Sequence, residues 1–310
     1  MISILIPVYN CNVNELATTL SRQLTALDVA GEIILLDDAS AIAYRQLNAA
    51  TASLPMVQYL EGSENMGRIR IRQQLAEKAA FDWMLFLDCD STVLSDQFLQ
   101  NYLQDLPSKP TVVVGGRIYT SQPPENCSLH LHWLYGTKRE AIDVQQRNQH
   151  PYYGFMSNNF VIHRSVFKQL SFVKSWNGYG HEDSWIGIQL EKLKASVIYI
   201  DNAVRHDGLE TADSFLQKSE QALQNLHRLQ QLTTADEVKR HVRLFRIYSR
   251  LRSVGMLWLP KGVYGILRNA IEKNLQSCNP SLFYFDLYRL DRFINISSNS
   301  VTAIQEGRAT

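Results

Sequence analysis

With 310 residues, 45% of them apolar and 20% charged, the chain has the material to bury a substantial core in one large domain or two. A net charge of +1 and the lack of any recognised binding motif exclude nucleic acid as a partner, and no stretch reaches the roughly 18 apolar residues of a membrane span. The charge is uneven: residues 211–310 carry 14 Lys/Arg against 8 Asp/Glu, whereas residues 1–210 carry 17 against 22, so an acidic front precedes a basic rear.

Ile2–Val8 is an unbroken apolar run, the pattern of a strand buried on both faces of a parallel sheet. Nothing basic precedes it, and it is too short for a signal peptide. The turn Tyr9-Asn10-Cys11-Asn12 leads into a predicted helix over about Val13–Leu27, where Val13, Leu16, Leu20, Leu24 and Leu27 share a stripe. Asn12 with Glu15 resembles a capping box. After Gly31 a second apolar run ends in Asp37-Asp38. A helical segment near 41–52, a short strand near Val57–Leu60 and a helix opened by Asn65-Met-Gly67-Arg68 follow. The fourth strand, Trp83–Leu87, stops abruptly at Asp88-Cys-Asp90. This alternation predicts an α/β fold, a parallel sheet covered by helices.

Past Leu106 the pattern weakens. Thr111–Val114 reads as a strand closed by Gly115-Gly116-Arg117, and the irregular stretch to residue 156 carries His130, His132, Trp133, Tyr135, Tyr152 and Tyr153. Long loops in compact domains are functional or disordered, and this aromatic content argues against disorder. Asn159–His163 is a further strand, Ser184–Leu193 a helix and Ser196–Ile200 the last strand of the sheet. Helices are predicted near 213–232, 236–257, 262–275 and 281–293. The chain therefore divides into an α/β domain over 1–210, a helical region over 211–294 and a polar tail over 295–310 expected to be disordered. Cys11, Cys89, Cys127 and Cys278 have no metal-ligand spacing and suggest no disulfide framework, so a reducing cytoplasm is the simplest home.

The end of the fourth strand bears the chemistry. If extended backbone persists, Asp88 and Asp90 project to the same side. Such a pair repels itself unless a cation neutralises it, and a hard divalent ion, Mg²⁺ or Mn²⁺, suits oxygen ligands and bridges to phosphate. Open α/β sheets bind ligands at the carboxyl ends of their strands. Arg68 and Arg72, one helical turn apart at a helix start, suit a diphosphate.

Ser3-Ile-Leu-Ile-Pro-Val-Tyr-Asn10, Leu35-Leu-Asp-Asp-Ala-Ser40, Asn65-Met-Gly-Arg68, Asp88-Cys-Asp90 and Trp176-Asn-Gly-Tyr-Gly-His-Glu-Asp183, in this order and spacing, resemble the family 2 glycosyltransferases of the GT-A fold. The last segment also looks like the Trp/Gly-rich Glu-Asp segment of animal galactosyl- and N-acetylgalactosaminyltransferases. The resemblance covers about residues 1–208. It implies an inverting, metal-dependent transferase that moves a hexosyl or N-acetylhexosaminyl group from a nucleotide sugar, expected to be UDP-linked, to a saccharide or lipid-linked acceptor in glycan or polysaccharide biosynthesis. It assigns Pro7, Tyr9, Asp37, Asp38, Asn65, Gly67, Arg68, Arg72 and Asp88 to the donor, and Asp88, Asp90 and His206 to Mn²⁺ or Mg²⁺. A carboxylate of Glu182-Asp183 is the general base. Asp183 is the preferred choice, with Glu182 binding the acceptor and Trp176 and Tyr179 providing apolar floors for a sugar ring. Each feature has a plainer reading as well: charged strand ends, a solvated basic face, an N-cap at Asp183, core aromatics and a solvated His206. For the alternating pair His130 and His132 that plainer reading is preferred over a metal site.

In the rear, 238–254 reads as one basic helix with Lys239, Arg243, Arg246 and Arg250 on one face and Leu244, Phe245, Tyr248 and Leu251 roughly opposite. It either lies on an anionic membrane, with Met256-Leu-Trp-Leu-Pro260 and Val263-Tyr-Gly-Ile-Leu267 adding apolar contact and the protein placed peripherally at the inner face, or packs on its own domain with a solvated charged face. A sugar nucleotidyltransferase lacks support because the long Gly-rich loop near the amino terminus is missing. A dinucleotide oxidoreductase lacks its Gly-x-Gly-x-x-Gly. A catalytically silent saccharide-binding or scaffold protein remains the alternative.

Overall fold

The structure, a computed structural model, describes the chain apart from Asp105, Pro110, Lys174, Ser175, Asn177 and residues 307–310; over 299–306 it describes the backbone alone. The apolar runs become strands where expected. In chain order the front half contains β1 (Ile2–Val8), α1 (Asn14–Ala26), β2 (Gly31–Asp37), α2 (Ile42–Asn48), β3 (Val57–Glu61), α3 (Gly67–Lys78), β4 (Trp83–Leu87), β5 (Ser91–Thr92), α4 (Phe98–Gln104), β6 (Thr111–Val114) and β7 (Arg117–Ile118). Then come α5 (His130–Tyr135), α6 (Val144–Gln149), β8 (Asn159–His163), α7 (Arg164–Phe167), α8 (Glu182–Lys192), β9 (Ser196–Tyr199) and β10 (Val204–His206). The rear is helical: α9 (Ala212–Leu232), α10 (Ala235–His241), α11 (Arg243–Ser253), α12 (Trp258–Leu275) and α13 (Leu282–Glu306).

Seven strands form one sheet in the order β3-β2-β1-β4-β8-β6-β9. β1 through β4 are mutually parallel, β9 runs parallel to β6, and β8 alone is antiparallel, between β4 and β6. Ile4, Ile6, Ile33, Leu35, Leu85 and Leu87 are buried in one core with Leu16, Leu20 and Leu24 of α1. Truncating one such leucine to Ala costs about 2–5 kcal/mol. The register pairs Val8 with Asp37 and Leu5 with Phe86, so β1, β2 and β4 end at one edge. A second, three-stranded sheet, β5-β10-β7, follows that edge.

Two compact units emerge. The first comprises Met1–Thr120, Glu140–Trp176 and Gln189–Gly208. The second comprises Ser121–Arg139, Asn177–Ile188 and Leu209–Thr310. Two segments inside the expected catalytic domain thus group with the rear helices, because their apolar side chains pack there. Leu131, for example, joins Phe215, Tyr264, Ile271 and Phe285 in a buried cluster.

Several local expectations are corrected. No capping box opens α1: Asn12 Oδ1 accepts instead from Asn14 N–H, and Val13 N–H is satisfied by Asn48 Oδ1, 3.1 Å away. His130 and His132 sit on a helix, not on a strand. Both ring nitrogens of His130 face backbone carbonyls, of Cys278 and Pro124, and His132 stacks on Phe215 while its Nδ1 accepts from Glu210 N–H. Cys127 and Cys278, 151 positions apart, form a disulfide. Packing brings together cysteines whose spacing gave no hint of pairing, and the reducing compartment loses the support drawn from them.

The basic rear helix is two helices, broken at Val242, which is extended (φ −122°, ψ 106°) and buried. The break removes the continuous basic face, and Leu244, Phe245 and Tyr248 are buried, with Tyr248 meeting Phe293 edge-on at 4.9 Å. That is the packed arrangement of the two foreseen. The last helix runs on to Glu306, past residue 295 where the tail was expected to begin; residues 307–310 lie outside those described. Among the described residues no helix is long and apolar enough to cross a membrane.

Candidate active site

The site is assembled at the carboxyl edge of the large sheet. Asn10, in the left-handed region (φ 47°), donates its backbone N–H to Ser40 Oγ and accepts from Ala41 N–H, locking the loop after β1 to the loop after β2. Cys11 Sγ donates to Cys89 O at 3.2 Å, tying the same loop to the Asp88–Asp90 turn. Asp37 accepts from Ser40 N–H (2.7 Å) and the Tyr59 hydroxyl (3.2 Å). Asp38 accepts from Met66 N–H (2.6 Å) and Gly67 N–H (3.0 Å) at the start of α3, where unpaired backbone N–H groups favour an anion. Burial pushes the Asp38 carboxyl up, against the downward pull of those two N–H groups. Both aspartates are thus held inside the protein, and the N–H groups of Met66 and Gly67 at the start of α3 are already occupied.

Asp88 follows β4, its N–H donating to Asn158 O. Its carboxylate meets three guanidinium groups: Arg72 Nη2 at 2.5 Å, and Arg68 Nη2 and Arg117 Nη2 each at 3.3 Å. Arg72 is buried and also donates to Arg68 O and Ser157 O, so it is an interior strut and not part of a solvated face. Arg117 bridges onward to Glu140 at 3.1 Å, and the Tyr119 hydroxyl donates to the same carboxylate. Burial, then the Glu140 charge, pushes the Tyr119 hydroxyl up.

Asp90 is held differently. Antiparallel pairing of β10 with β5 sets His206 opposite Ser91, so that His206 Nδ1 lies 3.3 Å from Asp90 Oδ1. Burial alone would raise the Asp90 carboxyl, but the His206 contact, and after it the charges of Arg117 and Arg68, hold it well below the usual carboxylate range. Gly208 is needed here, because a Cβ would collide with Asp90 Oδ2 and come within 2.9 Å of its Cγ.

The expected metal trio is therefore only partly assembled. Among the described residues no three His, Cys, Asp or Glu side chains converge. Asp90 and His206 meet, whereas Asp88 turns to arginines, which relieve the repulsion that the sequence assigned to a cation. The remaining pair still fits a divalent ion. Asp90 Oδ1 is buried 3.3 Å from an imidazole nitrogen, an oxygen–nitrogen donor set that suits Mn²⁺. An ion bridged to phosphates needs only one or two protein ligands.

A sequence profile supplies the family. That of Glycosyl transferase family 2 matches residues 3–171, more than half of the chain. The chain belongs to glycosyl transferase family 2. Solved structures agree in fold. The mannosyltransferase PcManGT from Pyrobaculum calidifontis, in complex with GDP-Man and Mn²⁺, aligns with a TM-score of 0.53 at 13% identity, over 96% of this chain and 85% of that one. Glucosyl-3-phosphoglycerate synthase from Mycobacterium tuberculosis, with Mg²⁺ and UDP, gives 0.51 at 16% identity, over 74% and 79%. S. aureus TarS 1–349 gives 0.51 at 14% identity, over 97% and 91%. At such identities the likeness is one of fold, and that fold is GT-A. No curated protein sequence matches the chain.

For this family 2 chain, the first unit gathers Asp37, Asp38, Gly67, Arg68, Arg72, Asp88, Asp90 and His206 through the contacts above. It also contains Pro7, the exposed Tyr9 and Asn65, and the half-buried Trp176. Tyr179, Glu182 and Asp183 belong to the second unit. There Gly178, Gly180 and His181 all have positive φ, and a Cβ on Gly180 would overlap Ala222, so the two glycines lie close against α9. It delivers Glu182, buried, and Asp183, half-buried, into the first turn of α8. Burial, then the Arg289 charge, pushes His181 down to about 3, and its Nδ1 lies 3.1 Å from Ser184 Oγ. Lys218 Nζ sits 5.5 Å above the Tyr179 ring and covers one of its faces.

Arg117, Tyr119 and Glu140 were not singled out from sequence as site residues. The available signal was Gly115-Gly116-Arg117: Gly116 is left-handed (φ +84°), turning the chain so that the next side chain reaches Asp88.

Proposed function

We propose that the chain is an inverting, divalent-metal-dependent glycosyltransferase that moves a hexosyl or N-acetylhexosaminyl group from a UDP-linked donor to a saccharide or lipid-linked acceptor. The observation that carries this reading is the edge itself: Asp88 ringed by Arg68, Arg72 and Arg117, next to the Asp90–His206 pair. The likeness in fold to structures solved with GDP-Man and Mn²⁺ and with UDP and Mg²⁺ supports a nucleotide-diphosphate donor. Asp90 and His206 are the residues that would hold the ion, which when bound supplies positive charge to the departing diphosphate. Arg68, which meets Asp88 at 3.3 Å with its side chain 36% exposed, is proposed to contact a phosphate, while the buried Arg72 keeps Asp88 in place.

Asp183 is the proposed base. The acceptor oxygen forms its bond to the anomeric carbon as the bond to the diphosphate breaks. The electron pair leaves with the diphosphate, and the hydroxyl proton passes to the Asp183 carboxylate. Glu182, Trp176 and Tyr179 are proposed to hold the acceptor, with Lys218 lying over one face of the Tyr179 ring.

The test is a panel of nucleotide sugars with Mn²⁺, read by thermal shift and by release of the nucleoside diphosphate. The expected result is turnover with a UDP-sugar that EDTA abolishes and Mn²⁺ or Mg²⁺ restores. Full transfer in chelator would sink the metal assignment. Binding of nucleotide with no turnover of any donor would favour the silent saccharide-binding protein.

A further inference from the structure

α12 is apolar on two sides. Pro260, Tyr264, Ile271 and Leu275 form one buried stripe. A surface helix ordinarily turns polar residues outward on the opposite face. Here that face presents Trp258, Leu259, Val263 and Ile266, exposed by 67%, 40%, 37% and 85%. The link before the helix adds Val254 and Met256, exposed as well. Single exposed apolar residues are commonplace, but a run of them along one helix marks an interaction surface.

The charge pattern selects the partner. From Val238 to Ile271 the chain carries eight lysines and arginines and no Asp or Glu. Arg250, Arg252 and Lys261 are exposed close to the apolar face in sequence. Two copies of the chain meeting through this face would press like charges together, which disfavours a homodimer. A surface that accepts apolar side chains and also attracts cations is an anionic bilayer, where interfacial helices bury bulky apolar residues beneath a cationic rim. α12 is not apolar enough to cross a membrane, so it would lie in the interface plane.

We infer that the exposed face of α12 seats the protein on an anionic lipid surface. In the contact expected of 238–254 the segments 256–260 and 263–267 are auxiliary; here Leu244, Phe245 and Tyr248 are buried inside the second unit, and the exposed apolar side chains are those of α12. It stands apart from the proposed transfer reaction, so either can fail alone.

The experiment is cosedimentation of the full chain with phosphatidylglycerol-containing vesicles and with pure phosphatidylcholine vesicles, at low and high salt, with Trp emission recorded alongside. Wild type should bind the anionic vesicles, bind phosphatidylcholine weakly, and lose affinity as salt screens the attraction. Its emission should shift to the blue on binding, and Trp258→Ser should abolish that shift. Trp258→Ser with Ile266→Ser should lower vesicle binding by about tenfold or more. Both residues are exposed, so melting temperature and turnover of soluble donor should not move. Arg250→Ser with Arg252→Ser should flatten the salt dependence. The inference is overturned if wild type ignores anionic vesicles at low salt, or if the double apolar variant binds them as wild type does. It is equally overturned if sedimentation velocity shows a dimer that the double variant dissociates, since the face would then belong to a second copy.

Discussion

In the first unit, the carboxylates of the sheet edge are held by groups brought from elsewhere in the chain. Asp88 meets Arg72, Arg68 and Arg117 across separations of 16, 20 and 29 residues, and Asp90 meets His206 from β10. The second unit relies on rings and a covalent bond: Phe215 stacks between His132 and Phe285, Tyr248 packs on Phe293, and Cys127 is bridged to Cys278. Its own acidic pair, Glu182 and Asp183, occupies a helix start, where local backbone N–H groups already favour a carboxylate. A buried network of charges is rigid but intolerant of losing one member. A helix-start carboxylate can change its chemistry without unfolding its support.

The widest separation should come from Asp183→Asn. Asn keeps the size of Asp within the first turn of α8, so the fold and the affinity for UDP should persist, while loss of the base should cost about 10²–10⁴ in turnover. Glu182→Gln should slow turnover less and raise the acceptor's apparent KM more. If Asp183→Asn turns over normally and Glu182→Gln does not, the two roles are exchanged.

Asp88→Asn tests the opposite behaviour. It leaves three guanidinium groups facing a neutral amide, and removing one partner from a buried ion pair costs about 3–5 kcal/mol. Chemical denaturation should show that loss. Stability equal to wild type would mean that the network is not what holds the edge.

In the second unit, Cys127→Ser with Cys278→Ser should lower stability by about 2–5 kcal/mol, the usual range for a bridge closing a long loop. Wild type treated with reductant should melt with the double variant. Unchanged melting in reductant would show that stacking alone carries the unit.

The smallest effect concerns pH. The folded pKa of His181, about 3, lies below its ordinary 6.5, so the unfolded chain takes up a proton that the folded chain refuses. Its contribution to stability is complete above about pH 6.5 and is lost as pH falls toward 3. His181 as a residue is half-buried, so the loss by pH 5 should be on the order of 1 kcal/mol. His181→Asn, which tolerates the positive φ, should flatten the melting temperature between pH 5 and 7.5; an unchanged slope would assign the dependence to other groups.

Much of this comparison was legible before any coordinates. Ile2–Val8, Trp83–Leu87 and Asn159–His163 became strands because a continuous apolar run is a statement about both faces of a sheet. Asp37-Asp38 and Asp88-Cys-Asp90 fell at strand ends for the same reason. The capping box at Asn12 failed because Val13 found its acceptor in Asn48, 35 positions on. The spacing predicts a single rear helix because 238–254 keeps helical periodicity through Val242, and nothing in it marks that residue as extended.

The sequence by itself determined the seven strands of the large sheet, their order along the chain and the placement of Asp37, Asp38, Asp88 and Asp90 at strand ends, since these follow from the spacing of apolar and polar groups along consecutive residues. The tertiary structure decided which cation meets which carboxylate, that β10 would bring His206 to Asp90, that Cys127 would reach Cys278, and that Leu244 and Phe245 would be covered while Trp258 and Ile266 stay exposed. Charge compensation and exposure depend on the distance between segments remote in sequence, and local periodicity carries no information about that distance.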